Sequence, residues 1–201
     1  MMAKPSEPQS ISPIKGRPML QWVGKKPLEA IEYFPAQEKE MYGDLNAKEF
    51  NKLFWGDNLQ VLSHLLKEYR GKIDLVYIDP PFDSAANYVK KVKLRGQKIE
   101  GQQRNLLEEK QYVDIWENDG YMQFMYERLL LIKELLSDSG SIYVHMDEKR
   151  SHYIKLILDE VFGKENFIRE IIWRIGWISG YKSKAKNWIR NHDIIFYYAR
   201  K

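Results

Sequence analysis

The stretch Ile73 to Ser84, IDLVYIDPPFDS, sets one carboxylate, two prolines and an aromatic ring at the end of an apolar run. Two consecutive prolines fix two φ angles and supply no N–H, so the backbone that follows Tyr77 and Ile78 is a rigid turn. Asp79 and the carbonyl of Pro80 then make two acceptors placed to take both hydrogens of one planar NH2 group. Phe82 offers a ring face on which a flat heterocycle can stack. An exocyclic amine on a nucleobase suits this chemistry. Its lone pair is delocalised into the ring and attacks poorly; acceptors on both hydrogens favour a pyramidal nitrogen whose lone pair is directed at an electrophile.

Other chemistries find little material. The chain has no cysteine and four scattered histidines, which removes disulfide frameworks, thiolate zinc sites and cysteine nucleophiles and leaves little for a metal. A net charge of +4 permits a polyanionic partner without demanding one. Its distribution says more: Lys90, Lys91, Lys93 and Arg95, continued by Lys98 and Arg104, lie just beyond the DPPF turn. They read either as phosphate contacts or as a solvated loop. A second stretch, Trp173 to Arg190, interleaves Trp177, Tyr181 and Trp188 with Lys182, Lys184 and Lys186. It is a weaker candidate for a stacking platform on nucleic acid.

The elements that must position these groups alternate. NKLFWGDN reads as a short strand running into a turn, where Asp57 or Asn58 can cap a helix with Leu59, Leu62, Leu65, Leu66 and Tyr69 on one stripe, ended by Gly71. IDLVYID is a nearly continuous apolar run, as expected of a strand buried on both faces of a parallel sheet. After a basic, glutamine-rich loop or lid over 83–118, Asp119 can cap a long helix whose Met122, Met125, Leu129, Ile132 and Leu136 share a face; SDSG stops it. The strand SIYVHMD, the helix YIKLILDEVF, the strand FIREIIW and the strand HDIIFYYAR complete the chain. This order implies an open, mainly parallel Rossmann-like α/β sheet with helices on both faces and ligands at the carboxyl ends of its strands. Asp57, Asp79 and the group His145, Met146 and Asp147 lie at such ends. His145 reads best as a satisfied strand-end residue, and Asp147 as a candidate cap of the next helix.

At 201 residues with 44% hydrophobic content, one domain is the default. Residues 1–20 are expected to be a disordered leader and 21–50 an N-terminal extension. Residues 51–201 then form the catalytic domain. No apolar run approaches the ~18 to 20 residues of a bilayer span. With no secretory signal in MMAKPSEPQSISPIKGRP, the expected location is the cytoplasm.

DPPF after an apolar strand, preceded by FWGDNLQVL and followed by YMQFMYERLLLIKELLSDSGSIYVHMD, LILDEVFGKENFIREIIW and HDIIFYYAR, resembles the adenine-specific DNA methyltransferases of the circularly permuted beta class. The modification subunits of type III restriction systems belong to that class. The resemblance runs from about Asn51 to the last residue. It implies a class I methyltransferase fold, S-adenosylmethionine as methyl donor, and a target adenine flipped out of double-stranded DNA. Asp79 and the Pro80 carbonyl would hold the target amine, Pro81 would keep the turn in shape and Phe82 would stack on the base. Asp57, with Asn58 beside it, would lie near the adenine of the methyl donor. The methyl group would pass to nitrogen in one in-line displacement, with no metal and no covalent enzyme intermediate. A restriction subunit or a second copy is a candidate partner.

The chain departs from the family in lacking the acidic residue that would hold the ribose hydroxyls, the full target-recognition domain and, above all, the cofactor loop. The glycine-rich FxGxG loop, which the beta class carries downstream of its target-recognition region, has no counterpart among these residues. The resemblance therefore implies an N-terminal portion of a longer enzyme, expected to bind the cofactor weakly or not at all by itself and to be inactive alone. Two alternatives stay open: methylation of cytosine N4, and a non-catalytic α/β module that binds nucleic acid or another subunit.

Overall fold

A computed structural model describes residues 9–12, 19–37, 40, 51–81, 120–176, 186 and 188–201, together with the backbone of 87–91 and 108–113. The element order is β1 (Gln9–Ser10), β2 (Ala30–Ile31), α1 (Asn58–Tyr69), β3 (Ile73–Ile78), β4 (Asn87–Lys91), β5 (Glu108–Val113), α2 (Gly120–Leu135), β6 (Leu136–Met146), α3 (Ser151–Phe162), β7 (Phe167–Arg174) and β8 (His192–Ala199).

The central sheet has four strands in the order β3-β6-β8-β7. β3 pairs parallel with β6, while β8 runs antiparallel to both of its neighbours. Three strands thus share a direction, and the last one enters between β6 and β7. The α/β class expected from the sequence holds, as a mixed sheet. FIREIIW does return parallel to β6 through α3, but it lies one strand away, with β8 in the slot between.

The helices cover one face. Leu66 of α1 packs against Leu131 and Leu135 of α2, and the remaining stripe of α1 is half-buried around them. Met125 and Leu129 of α2 and Ile154 and Leu158 of α3 share a core with Ile142, Val144, Phe196 and Tyr198 of the sheet. Period-2 alternation along β6 and β8 turns these strand residues inward. The opposite face carries no described helix: Leu75 and Tyr77 of β3 remain 60% and 54% exposed. Among the described residues the expected second helical layer is absent, and β3 is covered on one face only.

Local signals explain most boundaries. Asp57 caps α1, its Oδ1 accepting from the N–H groups of Leu59 and Gln60 at 3.0 and 3.3 Å. Gly71, at φ +67°, ends it, and the N–H groups of Gly71 and Lys72 donate to the carbonyls of Glu134 and Leu135 at the end of α2. The stripe expected on α2 is buried throughout. SDSG, however, continues into β6 as a bulge, the register jumping between the pairs Ile73–Leu136 and Leu75–Ser141. Residues 51–56 form no strand. Leu53 and Trp55 stand almost fully exposed, and an isolated run without a pairing edge gains too little to be a strand.

The N-terminal residues pack on this body. Trp22 and Ile31 are buried, and within the expected leader Gln9–Ser10 pairs antiparallel with Ala30–Ile31. Lys25 donates to both carboxylate oxygens of the fully buried Glu160 in α3, at 2.6 and 2.8 Å. Within the expected loop of 83–118, β4 and β5 pair as an antiparallel hairpin. No described helix is long and apolar enough to cross a membrane.

Candidate functional site

The carboxyl ends of β3 and β6 are adjacent. The register places Ile78 beside Val144, so Asp79 follows on one strand where His145 follows on the other. The turn after β3 leaves the Asp79 side chain 59% exposed, with Pro80 and Pro81 half-buried behind it. A rigid, donor-free backbone therefore presents an accessible carboxylate at the start of the turn. Phe82 lies outside the described residues, as do Lys93 and Arg95. Lys90 and Lys91 fall on β4, opposite Glu109 and Glu108 in the hairpin register. Of the aromatic and basic stretch, Trp177, Tyr181, Lys182 and Lys184 also lie outside; Trp188 is fully exposed.

α1 runs antiparallel to β3 through the tight turn at Gly71, so its N-terminus lies at the same end of the sheet as Asp79. The positive end of the helix favours negative charge there. Asp57 is engaged on both oxygens: Oδ1 caps the helix, and Oδ2 accepts from Arg128 at 3.2 Å. The same guanidinium donates through Nε to Asn58 Oδ1 and through Nη1 to the Phe124 carbonyl, and sits 3.6 Å over the Phe124 ring. Arg128 is buried, and burial pulls its pKa down against the opposing pull of Asp57 and Glu127. Such a cation fixes Asp57 and Asn58 on the helix end. The cap reading of Asp57 is thus realised, while half of its side chain stays open to solvent.

Asp79 has neighbours that sequence order hides. His145 Nδ1 lies 3.9 Å from Asp79 Oδ1 and 2.8 Å from the Tyr77 hydroxyl. On the other side of the ring, Nε2 lies 3.3 Å from Oδ2 of Asp193, a buried residue near the start of β8. Asp193 is paired in turn with Arg190, whose Nε contacts Glu148 at 2.5 Å. Burial, then the nearby Asp79 charge, raise the Tyr77 pKa. His145 is a partnered strand-end residue, as its position suggested. Asp147 does not cap α3: its Oδ1 accepts from the Lys149 N–H at 3.1 Å, and Arg150 occupies the cap position without a side-chain bond. Burial raises the Asp147 pKa from its ordinary value.

Sequence reasoning passed over Arg128 and Asp193. Both left a signal, a charge inside an apolar run: YERLLLI for one and HDIIFYY for the other. A buried charge needs a partner, and here each partner belongs to the end of the sheet where Asp79 stands. Among the described residues, no group of three or more His, Asp or Glu side chains is arranged to hold a metal ion.

The α/β sheet gathers an acidic turn, a capped helix N-terminus and a polar cluster at one end, where open sheets carry their ligands. Residues 73–201 match the family described as DNA methylase, and the chain belongs to that family. It is 26% identical over 200 residues to the type III restriction-modification enzyme EcoP15I Mod subunit of Escherichia coli, covering 90% of this chain and 30% of that protein. The type II methyltransferase M.EcaI of Enterobacter cloacae is 30% identical over 196 residues, 95% of this chain and 39% of its own length. The EcoPI Mod subunit of Escherichia phage P1 is 28% identical over 198 residues, again 90% and 30%. The chain thus spans between 30% and 39% of these relatives.

Proposed function

We propose that this chain carries the target-amine site of a DNA methyltransferase of restriction-modification type, acting on the N6 amine of an adenine flipped out of the duplex. The observation that carries this reading is the accessible Asp79 carboxylate at the end of β3, in a turn stiffened by Pro80 and Pro81. Asp79 and the Pro80 carbonyl hold the two amine hydrogens and turn the nitrogen lone pair outward. Phe82 stacks on the base and Pro81 keeps the turn. As nitrogen gains its methyl group it must lose a proton, and Asp79 is the nearest carboxylate to accept it.

The methyl donor is S-adenosylmethionine, which supplies a methyl group on a sulfonium sulfur when bound. The N-terminus of α1 fits its adenosine part: Asp57 keeps half its side chain open while Arg128 fixes it, and Asn58 retains an NH2 group as donor beside Oδ1, which Arg128 occupies. Lys90, Lys91, Lys93 and Arg95 contact phosphates of double-stranded DNA. Relatives named as Mod subunits of type III enzymes support a restriction subunit or a second copy as protein partner.

The test is transfer of labelled methyl groups to mixed-sequence duplex DNA by an enzyme that contains this chain together with its cofactor loop, followed by digestion to nucleosides. N6-methyladenine should be the labelled base, lost in Asp79→Ala while duplex binding persists. Label on cytosine N4 would overturn the adenine assignment, and undiminished transfer by Asp79→Ala would remove Asp79 from the centre.

A further inference from the structure

We infer that Asp193, His145 and Tyr77 form a tautomer-setting line whose function is to keep Asp79 free as an acceptor. The consequence for methyl transfer rests on the reading above; the line itself does not.

A carboxylate can only accept hydrogen bonds. Asp193 is buried and held by Arg190, so the imidazole nitrogen that faces it, Nε2, must carry the ring proton. In the neutral ring Nδ1 is then a bare lone pair, and the Tyr77 hydroxyl 2.8 Å away donates to it. The group 3.9 Å from Asp79 Oδ1 is therefore an acceptor rather than a donor. With the opposite tautomer, an N–H would stand at that distance and compete with any guest amine for the Asp79 lone pairs. Which nitrogen of a histidine carries the proton is set by the bond its other nitrogen makes. Here that bond lies on the far side of the ring from the acidic turn. His145 and Asp193 are positioning residues: neither is called on to touch the base.

Asp193→Asn is the discriminating variant, because its amide can donate to Nε2 and drive the proton to Nδ1 while keeping the side-chain shape. Imidazole 15N spectra of the chain labelled in histidine should show His145 as the Nε2–H form, changing to Nδ1–H in Asp193→Asn. The side-chain 13C resonance of Asp79 should move with it. Tyr77→Phe, on an open face and safe for folding, should leave the Nε2–H form but shift Nδ1 as its donor is lost. In the methyl-transfer assay, Asp193→Asn should lower kcat on the order of 10²-fold, the scale of losses from a misplaced supporting group, with KM for DNA unchanged. A wild-type Nδ1–H form, or an Asp79 signal indifferent to Asp193→Asn, overturns the inference. So does full kcat in that variant when the tautomer has changed. If an enzyme that contains this chain together with its cofactor loop transfers no methyl group while the spectra behave as stated, the methyltransferase reading fails and the line at Asp79 stands.

Discussion

Lys25 and Glu160 stand 135 residues apart in sequence, yet their charged groups meet at 2.6 Å beneath the surface. Lys25 also donates to the Leu20 carbonyl, and its ammonium lies 4.5 Å from the Trp22 ring centroid and 5.0 Å from that of Tyr126. Glu160 also accepts from the Leu20 N–H at 3.2 Å. The pair fastens the N-terminal residues to α3.

Removing one partner leaves the other charge buried without compensation. Lys25→Met should destabilise the fold by about 3 to 5 kcal/mol, lowering the melting temperature by roughly 2 to 4 °C per kcal/mol for a domain of this size. Lys25→Met with Glu160→Leu should recover part of the loss, since a buried pair contributes little over apolar packing. Thermal melts of the three proteins decide; a single variant that melts with the wild type would show the pair to be dispensable.

At Gly140 the constraint is space. A Cβ there would sit 2.8 Å from the Ile73 carbonyl oxygen and 3.0 Å from that of Ser137, and neither backbone atom can rotate away. Gly140→Ala should cost about 1 to 3 kcal/mol by forcing the bulge and the β3 pairing apart. Denaturant unfolding would measure it. Gly71→Ala meets open space but keeps a left-handed backbone, so its cost is strain alone.

Alkaline pH should unfold the protein through its core tyrosines. Tyr126 is pushed up to about 12, by burial first and Glu160 second, and Tyr198 is raised further by burial and its bond to Asp159. Each native tyrosine then keeps a proton that the unfolded chain releases near pH 10. Stability is fully present below that value and falls as pH rises through the window from 10 to 12, by about 1.4 kcal/mol per unit for Tyr126. Tyr126→Phe should flatten this slope in urea titrations at pH 9, 10 and 11.

Asp147 should show the reverse of an ordinary surface carboxylate. Burial raises its folded pKa, so the native state holds the proton more tightly and stability falls as pH rises from the ordinary carboxylate value to the raised one. Asp147→Asn retains the acceptor for the Lys149 N–H and removes the buried charge. At neutral pH it should be at least as stable as the wild type in denaturant unfolding. Marked destabilisation would mean that Arg190 outweighs burial.

Periodicity and punctuation carried much of this architecture. Stripes on α1 and α2, the cap at Asp57, the stop at Gly71 and the strand that delivers Asp79 can all be read locally, because each depends on residues within a turn or two. The run IDLVYI reports apolarity but not how many layers cover it, and Leu75 and Tyr77 proved open. Likewise, the apolar character of Leu53 and Trp55 could not say whether a neighbouring edge was there to pair with. The surroundings of Asp79 lay furthest out of reach: His145 meets Tyr77 across 68 positions and Asp193 across 48. No periodic pattern links residues at such distances; only the strand order does.

That strand order bears on how the chain is made. β8 follows β6 and β7 in sequence but lies between them, so a chain growing from its N-terminus completes both flanking strands before the strand that joins them. Until His192–Ala199 leaves the ribosome, β6 and β7 each hold an unpaired edge toward the same one-strand gap. The sheet closes at its interior rather than at its rim, and during that interval the slot is open to any extended segment that reaches it first.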